Sequence, residues 1–168
     1  MTVAEWNEIG TEEAVAALMR CCGSTNWAEK MVARRPFGEV TDVMEAARAV
    51  WYDACGEADW LEAFTHHPKI GDVEKLREKF AATADWSGNE QAGVNVASEE
   101  VLQRLAKGND DYEEKFGYIF IVCATGKSAA EMLELLETRL PNLPEDEIHI
   151  AMGQQHLITE IRLNKLFQ

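Results

Sequence analysis

The stretch Phe64-Thr65-His66-His67-Pro68-Lys69-Ile70-Gly71 places two imidazoles where an amphipathic helix has to stop. Histidine is the side chain whose unperturbed pKa, about 6.5, lets it give and take protons near neutrality. Pro68 pushes His67 out of the α region toward extended backbone, and Gly71 can supply a conformation closed to other residues. A histidine on such a corner can point into a cleft and carry out acid-base chemistry there. The same residues also suit an ordinary helix C-terminus, where an imidazolium interacts well with the dipole.

A second polar constellation is Trp86-Ser87-Gly88-Asn89-Glu90-Gln91-Ala92-Gly93. The spacing from Ser87 to Glu90 is that of a capping box, so a helix N-terminus accounts for it. Gln91 adds a second polar group, and no clear apolar stripe follows before Asn95. A helix start with free amides, a hydroxyl, a carboxylate and a carboxamide is also a cradle for a ureido compound. Both readings can hold together.

Arg162 breaks a local rule. Ile158 and Leu166 lie one turn to either side of it, with Ile161 and Leu163 adjacent, so its guanidinium rises from an apolar stripe. A buried arginine is costly unless an anion pairs with it. That anion is either a protein carboxylate, such as Glu90 or Glu160, or a group on a bound molecule, to which arginine offers bidentate geometry. His149 and His156 share a helical face, but without a second carboxylate-histidine pair their spacing argues weakly for a metal. Gly126-Lys127-Ser128 is not a phosphate-binding loop, because that motif needs a glycine where Ile121 stands.

The elements that must position these groups are helical. Val15, Leu18, Met19 and Cys22 make one face after Thr11, and Met31 and Val32 follow an Asn26 cap. Helices are expected from Thr41 to about Cys55, over Trp60, Leu61 and Phe64 into the histidine corner, and after Asp72. Ser98 opens another, weakening at Gly108-Asn109; Ser128 to Glu131 is a capping box, and Pro141-Asn142-Leu143-Pro144 precedes a last long helix to about Phe167. Gly117 to Cys123 alone has strand-like composition, and a single such run cannot make a sheet. The expected architecture is all-α, a single-domain bundle over residues 1-168 with about eight to nine helices and one extended buried segment near 117-123.

With 168 residues, 46% of them hydrophobic, and five tryptophans, the chain has the material for a real core. Thirty acidic residues against 16 basic ones give a formal charge of -14, which repels nucleic acid. A small anion would meet the same field and would need a local arginine or helix N-terminus to hold it. Cysteines 21, 22, 55 and 123 show no zinc or disulfide spacing, so reduced thiols in a cytoplasmic protein are expected. Neither a signal peptide nor a stretch near the ~20 apolar residues of a membrane span is expected, and the C-terminus is not a peroxisomal tripeptide.

Four ordered motifs resemble the OHCU decarboxylase family over nearly the whole chain. They are His67-Pro68-Lys69-Ile70-Gly71, Ser87-x-x-Glu90-Gln91-x-Gly93, Tyr112-x-x-Lys115-Phe116-Gly117-Tyr118 through Cys123, and Ile158-Thr159-Glu160-Ile161-Arg162-Leu163. OHCU is 2-oxo-4-hydroxy-4-carboxy-5-ureidoimidazoline, the last intermediate between urate and allantoin. The resemblance implies an all-helical homodimer that uses no metal or organic cofactor and releases CO2 to give (S)-allantoin. It implies His67 as the catalytic residue and places Glu90 in the polar substrate-binding segment; Glu90 is expected to share with His67 the work on the 4-hydroxyl and on the proton to be delivered. It implies substrate contact for Pro68, Ser87, Gly88, Asn89, Gln91, Ile119, Phe120, Ile121, Val122 and Arg162, and gives His66 no counterpart. Two other classes stay open on the residues alone. One is a metal-assisted hydrolase using His66, His67 and a carboxylate; the other is a non-catalytic helical interaction module in which residues 64-71 and 87-93 lie on separate surfaces.

Overall fold

A computed structural model describes the backbone of residues 1-81 and 91-168, and the side chains of residues 1-80 and 99-168. Among the described residues every regular element is helical, nine α-helices and one five-residue π-helical turn, in the all-α class expected. No described helix is long and apolar enough to cross a membrane. The chain separates into two compact units, residues 1-67 with 148-168, and residues 68-147.

The first unit holds α1 (Val3–Glu8), α2 (Thr11–Met19), α3 (Thr25–Val32), α4 (Val40–Ala49), α5 (Glu57–Thr65) and most of α9 (Pro144–Leu166). Helix α2 buries Ala14, Ala17 and Leu18, while Val15 and Met19 are only half-buried, so its inner face is rotated from the expected stripe. Ser24, and not Asn26, caps α3, its hydroxyl accepting from the Trp27 amide at 3.2 Å. The earlier start follows from α5: the Glu62 carboxylate accepts the Thr25 amide and hydroxyl at 2.5 and 3.0 Å, and Asn26 instead donates to Asp59 at 3.0 Å.

Helix α4 does not run on in α form to Cys55. Its last turn widens into the π-helix Val50–Ala54, which turns Trp51 inward and leaves Ala54 half-buried. The Trp51 indole donates to the Met152 carbonyl on α9 at 2.8 Å, and the Trp51 carbonyl accepts the Trp60 indole at 3.4 Å. These bonds tie α4, α5 and α9 together and fix the end of α5, where Trp60, Ala63 and Phe64 are buried.

The second unit holds α6 (Val73–Ala81), α7 (Gln91–Phe116), the extended segment, α8 (Ala129–Arg139) and the first turn of α9. Asp72 caps α6 as expected, accepting the Lys75 amide at 3.0 Å. Helix α7 runs unbroken through Gly108 and Asn109. A β-carbon on Gly108 would sit 2.5 Å from Leu136 Cδ2, and the Asn109 amide donates back to the Leu105 carbonyl at 2.8 Å. The close approach of α8 explains the glycine, and the back-bond explains how a buried asparagine stays helical.

Gly117, at φ +82°, ends α7, its amide donating to the Glu113 carbonyl at 2.8 Å. From there the chain runs extended, with Phe120, Ile121, Val122 and Cys123 buried as the sequence predicts. Without a neighbouring strand such a segment must find other partners for its backbone. Arg139 Nη1 donates to the Ile121 carbonyl at 2.8 Å, and Lys127 Nζ to the Cys123 carbonyl at 2.7 Å. Arg139 is itself paired with Glu147 at 2.6 Å, and Glu147 also accepts from the Tyr112 hydroxyl at 2.6 Å and the Asn142 amide at 3.0 Å. Burial and the adjacent carboxylate push the Tyr112 phenol far above its usual range, so it stays protonated and donates. The Arg139 guanidinium lies 4.6 Å from the Phe120 ring centre, closing the network on the extended segment.

Candidate active site

His67 ends the histidine corner as the second residue past α5, directly after the C-cap His66. The His66 and His67 amides donate to the Ala63 and Phe64 carbonyls at 3.1 and 3.2 Å, closing the helix with one tight turn. His66 is solvent-exposed as a residue, yet its ring lies against the Gly23 backbone: a β-carbon there would sit 2.3 Å from His66 Cγ. The absence of a side chain on Gly23 lets the corner seat on the turn between α2 and α3. His66 thus packs as a structural post, while His67 turns to α9.

The His67 ring is half-buried and its Nε2 lies 2.5 Å from Gln155 Oε1. Gln155 is fully buried, and its amide nitrogen donates to Thr159 Oγ1 at 3.1 Å. The Thr159 hydroxyl in turn donates to the Gln155 carbonyl at 3.0 Å. Arg162, one helical turn beyond, is half-buried, and among the described residues it makes a single long bond, to the Cys21 carbonyl at 3.4 Å. Among the described residues no carboxylate lies within ion-pair distance of it, and Glu160 pairs with His156 at 3.2 Å instead. The thiols nearby offer no anion either: burial pushes Cys21 up to about 11 and Cys22 up to about 12.

Burial holds the His67 pKa below the usual 6.5, opposed by the bond to Gln155 and reinforced by the positive charges of Arg162 and His66. The site therefore joins a histidine that prefers to be neutral with a cation lacking a protein counter-ion among the described residues. Such a pair can hold an anionic or strongly polar molecule and exchange a proton with it.

The sequence expectations fall unevenly on this geometry. His67 and Arg162 both lie in the first unit, close enough for the arginine charge to act on the imidazole. Pro68 is exposed, Ile119 is half-buried, and Phe120, Ile121 and Val122 are buried in the second unit. Ser87, Gly88, Asn89 and Glu90, with the question of whether Glu90 meets His67, lie outside the described residues, and Gln91 is described only as the start of α7. Among the described residues no three His, Cys, Asp or Glu side chains converge as a metal site would require. Gln155 and Thr159 were not singled out from the sequence as site residues. The signal was available as the polar sequence Gln155, Thr159, Arg162 at steps of four and three residues, one face of a helix otherwise filled by apolar side chains.

Residues 7–164 match the OHCU decarboxylase family. The chain is 38% identical over 162 residues to the uric acid degradation bifunctional protein TTL of Arabidopsis thaliana, covering 95% of this chain and 48% of that protein. It is 25% identical over 168 residues to the 2-oxo-4-hydroxy-4-carboxy-5-ureidoimidazoline decarboxylase of Haloferax volcanii, covering 99% of this chain and 96% of the relative. An OHCU decarboxylase crystallised in the presence of (S)-allantoin has a TM-score of 0.71 and 37% identity to this chain, over 89% of this chain and 95% of that one. With an all-helical fold and a family match over nearly its full length, the chain belongs to the OHCU decarboxylase family. It spans about half the length of the plant protein and almost all of the archaeal one.

Proposed function

We propose that this chain decarboxylates 2-oxo-4-hydroxy-4-carboxy-5-ureidoimidazoline to (S)-allantoin and CO2, the step that completes urate conversion to allantoin, with His67 as the proton-transfer group. The observation that carries this reading is the placement of half-buried, charge-averse His67 beside Arg162, which no described carboxylate neutralises. The bond to the carboxyl carbon breaks and CO2 leaves. Its electron pair moves into the ring, and the neighbouring C=N nitrogen takes a proton from water. That imine is the electron sink, so the chemistry asks the protein for position and proton steering. His67 then accepts the 4-hydroxyl proton as the carbonyl forms and returns a proton to one face of the ring carbon that bears the ureido group. A neutral imidazole suits the accepting step, in keeping with the direction in which burial moves it.

Arg162 anchors the substrate through its carboxylate or ureido oxygen, using the donors the protein leaves free. The family resemblance assigns substrate contact to Pro68, Ser87, Gly88, Asn89, Gln91, Ile119, Phe120, Ile121 and Val122, and we assign a share of the proton handling to Glu90. The resemblance also supports one functional domain and a homodimer, while the cysteine spacing supports a cytoplasmic location; the single domain gains from a family match that runs from residue 7 to 164. The decisive experiment mixes freshly generated OHCU with the purified protein and follows CO2 release and circular dichroism. Optically active (S)-allantoin is expected. Racemic product at the protein-free rate would overturn the reading.

A further inference from the structure

Behind His67 the hydrogen bonds form a chain from Thr159 through Gln155 to the imidazole. The Thr159 hydroxyl has a single hydrogen, which goes to the Gln155 carbonyl at 3.0 Å. With that hydrogen on the carbonyl, its oxygen accepts from the Gln155 amide nitrogen at 3.1 Å, and the amide oxygen faces His67. An amide oxygen cannot donate, so the proton in the 2.5 Å contact belongs to His67 Nε2. Among the described residues Nδ1 has no hydrogen-bond partner.

We infer that Gln155, locked by Thr159, is a positioning residue that holds neutral His67 as the Nε2–H form and leaves Nδ1 as the nitrogen that exchanges protons with substrate. The inference rests on the proton-transfer role of His67 proposed above and specifies which atom performs it. In each turnover Nδ1 accepts the hydroxyl proton, giving an imidazolium that keeps its Nε2–H bond to Gln155. The Nδ1 proton then passes to the ring carbon and the starting tautomer returns. No second site is needed to relocate a proton, because Nε2 never releases one. Gln155 is uncharged, so it orients the ring without the strong preference for imidazolium that a carboxylate in its place would impose. Among the described residues the other charged or titratable groups acting on the ring are Arg162, from α9, and the adjacent His66, and both oppose imidazolium.

The test is nitrogen NMR on protein labelled with 15N-histidine, without substrate, joined to the pH profile of kcat. Wild-type protein and Thr159→Ser, which keeps the hydroxyl, should carry the neutral His67 proton on Nε2. Thr159→Val removes the hydroxyl that orients the amide. It should give a mixture of the two tautomers and lower kcat about three- to tenfold, the worth of one neutral hydrogen bond. Gln155→Glu preserves the acceptor but adds a charge, and should move the pH profile and the His67 titration upward together. A wild-type proton on Nδ1 would overturn the inference, as would a tautomer and pH profile unchanged in Thr159→Val. Because the NMR signature is read without turnover, it separates two failures. An Nε2–H signal in a protein whose His67→Ala variant is fully active would leave the tautomer correct and remove the catalytic role. An Nδ1–H signal with an inactive His67→Ala variant would do the reverse.

Discussion

Arg139 and Arg162 both rise from apolar helical faces, one in each compact unit, and their surroundings treat them oppositely. Arg139 is 6% exposed and spends its donors on Glu147, the Ile121 carbonyl and the Tyr112 hydroxyl, with Phe120 beneath it. Arg162 is half-buried and, among the described residues, has one bond at 3.4 Å. A buried charge whose partners are all supplied by the protein has been committed to architecture. A charge with donors to spare beside a histidine remains available to a ligand. The same contrast separates Glu147, which accepts from Tyr112, Asn142 and Arg139, from Gln155, which uses its amide to orient one ring.

The largest expected effect falls on the open cluster. His67→Ala should lower the rate of OHCU decarboxylation by roughly 10²- to 10⁴-fold and erode the optical purity of the product, with little change in melting temperature. CO2 release and circular dichroism of the allantoin measure both. Full rate with retained (S) product would remove His67 from the reaction. The saturated cluster should answer in stability instead. Glu147→Ala strands the buried Arg139 guanidinium and should destabilise by about 3–5 kcal/mol, measurable by urea unfolding. A loss below about 1 kcal/mol, the size of an exposed pair, would mean that the network is not what holds the extended segment.

These differences were only partly legible in the sequence. The histidine corner was, because proline, glycine and helix-stop rules act over a few residues. The extended segment at Phe120 to Cys123 was also legible, since β-branched and aromatic residues in one isolated run must be buried without a sheet. Arg139 had the spacing of an inward residue, but its partner Glu147 lies eight positions on, past a turn, where periodicity gives no pairing. Arg162 was conspicuous for its apolar neighbours, yet of its candidate partners Glu160 belongs to His156 and Glu90 lies outside the described residues. Gly108-Asn109 read as a weakening of α7 because local propensity does not register the approach of Leu136. The π-turn at Val50–Ala54 left no mark in composition; it follows from long-range bonds of Trp51 and Trp60.

A smaller change sharpens the contrast at Arg162. Arg162→Lys keeps the charge and loses the planar fork, so KM should rise about tenfold, the scale of one charge-assisted hydrogen bond. Because the guanidinium carries little of the fold's hydrogen bonding, thermal stability should hardly move. An unaltered KM with a clear loss of stability would reclassify Arg162 as a structural cation of the Arg139 kind.

The smallest expected effect concerns pH and divides the two units most cleanly. All four histidines lie in the first unit and none in the second. Burial lowers the pKa of His67 and of His156 in the folded state, with the Glu160 carboxylate beside His156 opposing the shift without reversing it. For a depressed pKa, the unfolded chain takes up protons first as pH falls below about 6.5, so stability is intact above that pH and declines toward the lower folded values. Hydrogen exchange corrected for intrinsic rates, compared at about pH 7 and about pH 5.5, should therefore show protection falling in α3 and α5 before α7 and α8. His67→Asn, unable to charge, should flatten part of that slope while leaving the second unit untouched. Equal loss in both units, or a slope unchanged in His67→Asn, would mean that histidine burial is not its source and that the open cluster carries no extra electrostatic penalty.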